Sequence, residues 1–147
     1  MAEERSLTFI AFDFGTKKMG VAVGQTITMT ANPINCLSVN KGLPDWSRIS
    51  ALIDEWHPAG FIVGIPLNMD SSSQSVTFKA KRFAKELNNQ FNLPVHEIDE
   101  RLTTLEARQQ LFELGGYKAL KQISVDSFAA KLMLEAWMRS NIKDRKE

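Results

Sequence analysis

Two hydrophobic periods alternate along this chain, and the points where one gives way to the other mark its elements. Leu7 to Phe14 (LTFIAFDF) is a continuous apolar run broken by one carboxylate, which predicts a short strand buried on both faces. Gly15-Thr16-Lys17-Lys18 predicts a turn, and Met19 to Gly24 a second strand, so the pair reads as a hairpin. Thr26 to Leu37 carries β-branched residues around Asn32-Pro33 and predicts a third, weaker strand with a bend. After Lys41-Gly42 the period lengthens. Trp46, Ile49, Leu52, Ile53 and Trp56 recur at helical spacing, between a start at Pro44-Asp45 and a stop at Pro58. Gly60 to Ile65 is another short apolar strand.

The loop Pro66 to Ser73 (PLNMDSSS) precedes a helix with the apolar stripe Val76, Ala80, Phe83, Leu87 and Phe91. Pro94 to Ile98 predicts a strand. Thr103 or Thr104 would cap a helix through Leu114, closed by Gly115-Gly116, and a last helix runs from near Ser124 to about Asn141. The order β-β-β-α-β-α-β-α-α predicts an α/β fold: a mixed five-stranded sheet with an antiparallel hairpin start and helices on both faces.

Composition narrows the class. The 147 residues fit a single domain, 1–147, since domains commonly run to roughly 100–150 residues. Eighteen basic and 17 acidic side chains leave a net charge of +1, which advertises no charge-driven partner. The lone Cys36 excludes an internal disulfide and a multi-cysteine zinc site, and His57 and His96 leave little for histidine-based metal chemistry. With no signal-like start and no apolar run of about 18 residues, the expectation is a reduced, cytoplasmic protein without a membrane span.

Three carboxylates then stand against the pattern. Asp13 ends a strand that is otherwise apolar on both faces, where an unpaired carboxylate costs several kcal/mol; the plainer reading is an Asx-type turn over Asp13 to Thr16. Asp99 and Glu100 follow a strand directly, at the carboxyl end where α/β sheets bind ligands, and alternation lets at most one of them face a site. Asp126 shares a helical face with Ala129, Ala130, Met133 and Trp137. A helix dipole favours an acid in that first turn, though one facing solvent rather than the packed stripe. Acids from the ends of three elements, with no histidine or cysteine cluster, form an oxygen-only set suited to Mg²⁺ or Mn²⁺. Two such ions about 3.5–4 Å apart would support phosphodiester hydrolysis.

The stretches AFDFGTKKMGVAVG (Ala11 to Gly24), VGIPLNMD (Val63 to Asp70), DERLTT (Asp99 to Thr104) and the late helix with Asp126, Ala129 and Ala130 resemble the YqgF family. Its members are described as pre-16S rRNA nucleases and, earlier, as Holliday junction resolvases. The resemblance spans nearly the whole chain and implies a ribonuclease H-like fold with the first strand central. It also implies a divalent-metal site of Asp13, Glu100 and Asp126, with Asp99 the less secure alternative to Glu100. Lys18 stands where many relatives carry Arg, keeping the charge but losing the bidentate fork.

Several cations and polar groups qualify as nucleic-acid contacts. Lys17 and Lys18 lie in the turn beside Asp13, and Arg101 follows Glu100. Asn68 lies at a strand end before a helix, where backbone amides bind phosphate. On the helix after it, Lys79, Lys81, Arg82 and Lys85 stand against Glu86. Solvated turns and helix faces are the plainer reading of all of these. Trp46, Trp56 and Trp137 fall on apolar stripes and are read as core.

Two other classes compete with a nuclease. An actin-like phosphotransferase also begins with Asp-x-Gly-Thr, but needs a second lobe that 147 residues cannot supply. A non-catalytic RNA-binding ribosome-assembly factor would not need all three acids. Between substrates, a four-way DNA junction demands two symmetric cuts and a dimer. No exposed apolar stripe here reads as a dimer surface. The expected protein is therefore a monomer or weak dimer that trims the 5′ end of pre-16S rRNA, with a pre-ribosomal particle as possible partner.

Overall fold

The computed structural model describes residues 6–15, 17–66, 74–99 and 125–142. Strand β1 is Thr8–Asp13 and β2 Lys18–Gln25, the expected antiparallel hairpin. Gly15 makes its turn possible, because a Cβ there would overlap the carbonyl oxygen of Lys18. Strand β3, Thr30–Asn40, starts and ends later than the strand expected over Thr26 to Leu37, because residues 26–29 form the turn and Met29 takes a left-handed φ of 58°. Pro33 is tolerated opposite Ala22 because at that level β3 is the sheet edge, where a missing N–H breaks no ladder.

The sheet has six strands, in the order β4-β3-β2-β1-β5-β6, where five were expected. The extra one, β4, is only Leu43–Pro44. Lys41 and Gly42 both take positive φ (54° and 80°), so the chain folds back and pairs Leu43 and Pro44 with Asn40 and Val39. Two residues are too short a run to show a period. Helix α1, Trp46–Trp56, follows at once; its cap Asp45 accepts hydrogen bonds from the Ser47 hydroxyl (2.6 Å) and backbone N–H (3.2 Å). The Ser47 hydroxyl holds the Asp45 carboxyl below the usual aspartate range. Left-handed His57 (φ 48°) ends the helix before Pro58.

Strand β5, Gly60–Ile65, runs parallel to β1, helix α2 spans Gln74–Phe91, and β6, Val95–Asp99, runs parallel to β5. The helix expected from Thr103 or Thr104 to Leu114 lies outside the described residues. The last described helix, here α3, is Val125–Asn141. Strand alternation divides the core in two. Ile10, Phe12, Val21, Phe61 and Val63 face α1 and α2, meeting Ile49, Phe83 and Leu87. Phe9, Ala11, Ala22 and Ile62 face α3, meeting Ala130, Met133, Leu134 and Met138. Each large side chain buried this way contributes about 1.5–3 kcal/mol. Trp46 packs on the first core and Trp137 on the second, where its ring lies 5.0 Å from Phe9 and 4.7 Å from His96. No helix among the described residues is long and apolar enough to cross a membrane.

Candidate active site

Asp13 sits where the sequence pattern was least comfortable. It is 5% exposed at the carboxyl end of β1, on the α3 face that Phe9 and Ala11 share. The residues beside it in the sheet are both glycines, Gly20 on β2 and Gly64 on β5. Neighbouring residues in register point to the same face, so neither flanking strand sets a side chain beside the carboxylate.

Helix α3 closes one side of that space. A Cβ on Gly20 would overlap the backbone of Asp126 and Ser127, so only glycine lets the first turn of α3 rest on β2. The docking point coincides with a fault in the sheet. Val21 pairs with Ile34 but Met19 with Leu37, which sets Asn35 and Cys36 against Gly20 alone. Ser127 repairs the fault: its buried hydroxyl accepts the Val21 N–H (3.1 Å) and donates to the Ile34 carbonyl (2.7 Å). Asp126, half-buried in the first turn, is thereby held beside the strand partner of Asp13.

Strand β6 fixes the direction in which Asp99 faces. Ala11, Ile62 and His96 lie in register, as do Asp13, Gly64 and Ile98, all on the α3 face. Asp99 pairs instead with Ile65, whose side chain belongs to the opposite core. Asp99 is therefore turned away from Asp13. Glu100, Arg101 and Asn68 lie outside the described residues. Lys17 and Lys18 are exposed in the β1–β2 turn, close in sequence to Asp13, whereas Lys79 and Arg82 are on α2, across the sheet from it. No trio of histidine, cysteine, aspartate and glutamate stands together among the described residues, which include two of the three proposed ligands. The described members, Asp13 and the Asp126 of the turn seated against Gly20, bring carboxylate oxygens, the donor type a hard divalent cation takes.

A well-formed cavity lies away from these acids. About 340 Å³ in volume, it lies between β3 and α1, lined by Ile34, Leu52 and Trp56, on the opposite side of the sheet from Asp13. The carboxylates, not cavity size, identify the candidate centre. Sequence reasoning missed Ser127, Gly20 and Gly64. The glycines within MGVAVG and VGIPLNMD were the available signal, being small residues in otherwise apolar strands.

This fold, a mixed sheet with a central β1 and a carboxylate at its end covered by a late helix, defines the ribonuclease H-like class. Two solved structures share it: Thermus thermophilus RuvC in complex with a Holliday junction substrate (TM-score 0.55, 11% identity, 92% of this chain and 96% of that one) and the fowlpox virus Holliday junction resolvase (TM-score 0.51, 15% identity, 91% and 99%). The family described as "RuvX: Holliday junction resolvase" matches residues 7–140, and the chain belongs to that family. Similar relatives include proteins of Actinobacillus pleuropneumoniae serotype 5b (52% identical over 133 residues, 90% of this chain and 97% of the relative) and Haemophilus ducreyi (50% over 134 residues, 91% and 97%). One of Legionella pneumophila is 47% identical over 133 residues (90% and 96%). All three carry the name "Putative pre-16S rRNA nuclease".

Proposed function

We propose that this protein is a divalent-metal-dependent nuclease that hydrolyses phosphodiester bonds at the 5′ end of pre-16S rRNA during ribosome maturation. The observation that carries the reading is Asp13: a buried carboxylate at the end of the central strand, flanked by two glycines, with the Asp126 turn docked against one of them. The names of the relatives support the RNA substrate. A reduced, cytoplasmic setting and a pre-ribosomal partner belong to the same proposal.

Asp13, Glu100 and Asp126 would hold two ions of the Mg²⁺ or Mn²⁺ type, which when bound activate water and stabilise the departing oxygen. Asp13 is the rigid member, fixed by its strand. Asp126 is set by the Ser127 contacts. Glu100 is preferred to Asp99 because the described part of β6 turns Asp99 toward the α2 face. Lys17 and Lys18, and with them Arg101 and Asn68, are assigned to backbone phosphates, neutralising charge that two carboxylates alone would repel.

The test is Asp13→Asn, which keeps shape and removes the charge. Loss of an outer-shell partner alone costs about 10–100-fold in activity or metal affinity, so this variant should cut at least about 100-fold more slowly. Cleavage of a labelled precursor RNA at the wild-type rate would remove Asp13 from the mechanism. A second reading, four-way DNA junction resolution, is favoured by the description of the matching family. Junctions and precursor RNA assayed side by side decide between the two, and resolution of junctions would further require a dimer.

A further inference from the structure

On the α2 face, a pocket of about 120 Å³ opens between the β3–β4 hairpin and α2. Lys41, Lys79 and Arg82 line it around a half-buried Trp46, with Glu86 as the acidic member of the lining. We propose that this pocket binds a backbone phosphate of the nucleic acid at a distance from the cleavage centre, an inference that rests on the nuclease reading above.

The lining is net basic, with three cations to one carboxylate. No carboxylate among the described residues is within ion-pair distance of Lys41, Lys79 or Arg82, and Glu86 accepts instead from the Gln90 amide (3.5 Å). Three cations against one carboxylate leave the lining with an excess of positive charge, which a bound anion relieves. The backbone also shapes the pocket. Gly42, at φ 80°, lies under the Lys79 stem, and a Cβ there would come within 3.0 Å of the Lys79 Cδ. The stem is thus laid along the turn that carries Lys41. At about 120 Å³ the pocket is well below the roughly 300 Å³ of small-molecule sites, and it matches a single charged group of a polymer.

Helix geometry sorts the cations that the sequence groups together. Lys79, Arg82 and Glu86 share one stripe and line the pocket, while Lys81 and Lys85 fall on the next stripe round the helix, outside the lining. The pocket also connects to the acids along one end of the sheet. The Val39 N–H donates to the Lys17 carbonyl (2.9 Å) and Lys18 pairs with Ser38, so Lys17 and Lys18 lie between the end of β1 and the Lys41 turn. A strand cut at Asp13 would pass over these lysines to reach the pocket on the other face.

The experiment measures equilibrium binding of a labelled single-stranded RNA to the Asp13→Asn protein across a salt series. Single substitutions Lys41→Ala, Lys79→Ala and Arg82→Ala are compared with Lys81→Ala and Lys85→Ala, which remove the same charge from the same protein. Each pocket substitution should weaken binding several-fold and lower the salt slope by about 0.7, the value for one phosphate contact on a single strand. The Lys81 and Lys85 variants should shift the slope by less than half of that. Equal shifts in both sets would overturn the pocket while leaving the nuclease reading intact. Failure of the parent protein to bind either RNA or a four-way junction would overturn both.

Discussion

At the scale of single residues, the informative feature is a hydroxyl. Ser127 satisfies two backbone groups at the fault between β2 and β3 and does so with less than 2% of its surface exposed. Ser127→Ala leaves both groups buried without that partner, so it should cost about 1–3 kcal/mol, read by urea unfolding. Because the same contacts hold Asp126, weaker binding of Mn²⁺ by calorimetry should accompany the loss. An unchanged midpoint would mean that water replaces the hydroxyl. Asp126 was legible in the sequence because a carboxylate heading an apolar stripe violates a pattern. Ser127 was not, since a serine at a helix start is ordinarily a solvated one and the fault it fills belongs to a strand about a hundred residues away. The direction in which Asp99 faces was equally hidden. His96 looks like a polar, outward position, yet it stacks on Trp137 and so marks the α3 face of β6.

At the scale of elements, the join between α3 and β2 rests on small residues with different tolerances. A methyl at Gly20 meets the backbone of α3, which cannot move without displacing Asp126; a methyl at Gly24 meets the side-chain ends of Leu134 and Met138, at 2.8 and 3.1 Å, and the Cβ of Ala31 at 3.0 Å. Gly20→Ala should therefore destabilise by about 1–3 kcal/mol and Gly24→Ala by less, with thermal unfolding of both variants as the check. If the two cost the same, the helix is not seated on β2 as described. Helix α1 was readable to its ends because a stripe, an Asp cap and a following proline agree. The β3–β4 hairpin was not, because its signal is backbone twist at Lys41-Gly42 rather than any periodicity in Leu43–Pro44.

At the scale of the whole molecule, the net charge of +1 conceals an uneven arrangement. Acids gather at the α3 side of one sheet end, while Lys17, Lys18, Lys41, Lys79 and Arg82 continue around it to the α2 side. Composition alone hid this because counts carry no position. Helix α3 supplies one whole layer of the second core. Removing residues 125–147 should leave Ala11, Ala22 and Ile62 uncovered and abolish a cooperative melting transition, which scanning calorimetry would reveal. A sharp transition in the shortened chain would show that the layer on the α1 and α2 side is sufficient alone.

The Ser127 hydroxyl reaches back 106 residues to the Val21 N–H and 93 to the Ile34 carbonyl. Contacts of such separation close late, after the loop entropy between them has been met. A chain still emerging from a ribosome already contains Asp13 yet lacks the turn that seats Asp126 against Gly20. In the proposed site the two acids meet only once the last described helix has been made, so a nascent chain is expected to be inactive beside the very kind of RNA it is proposed to cut.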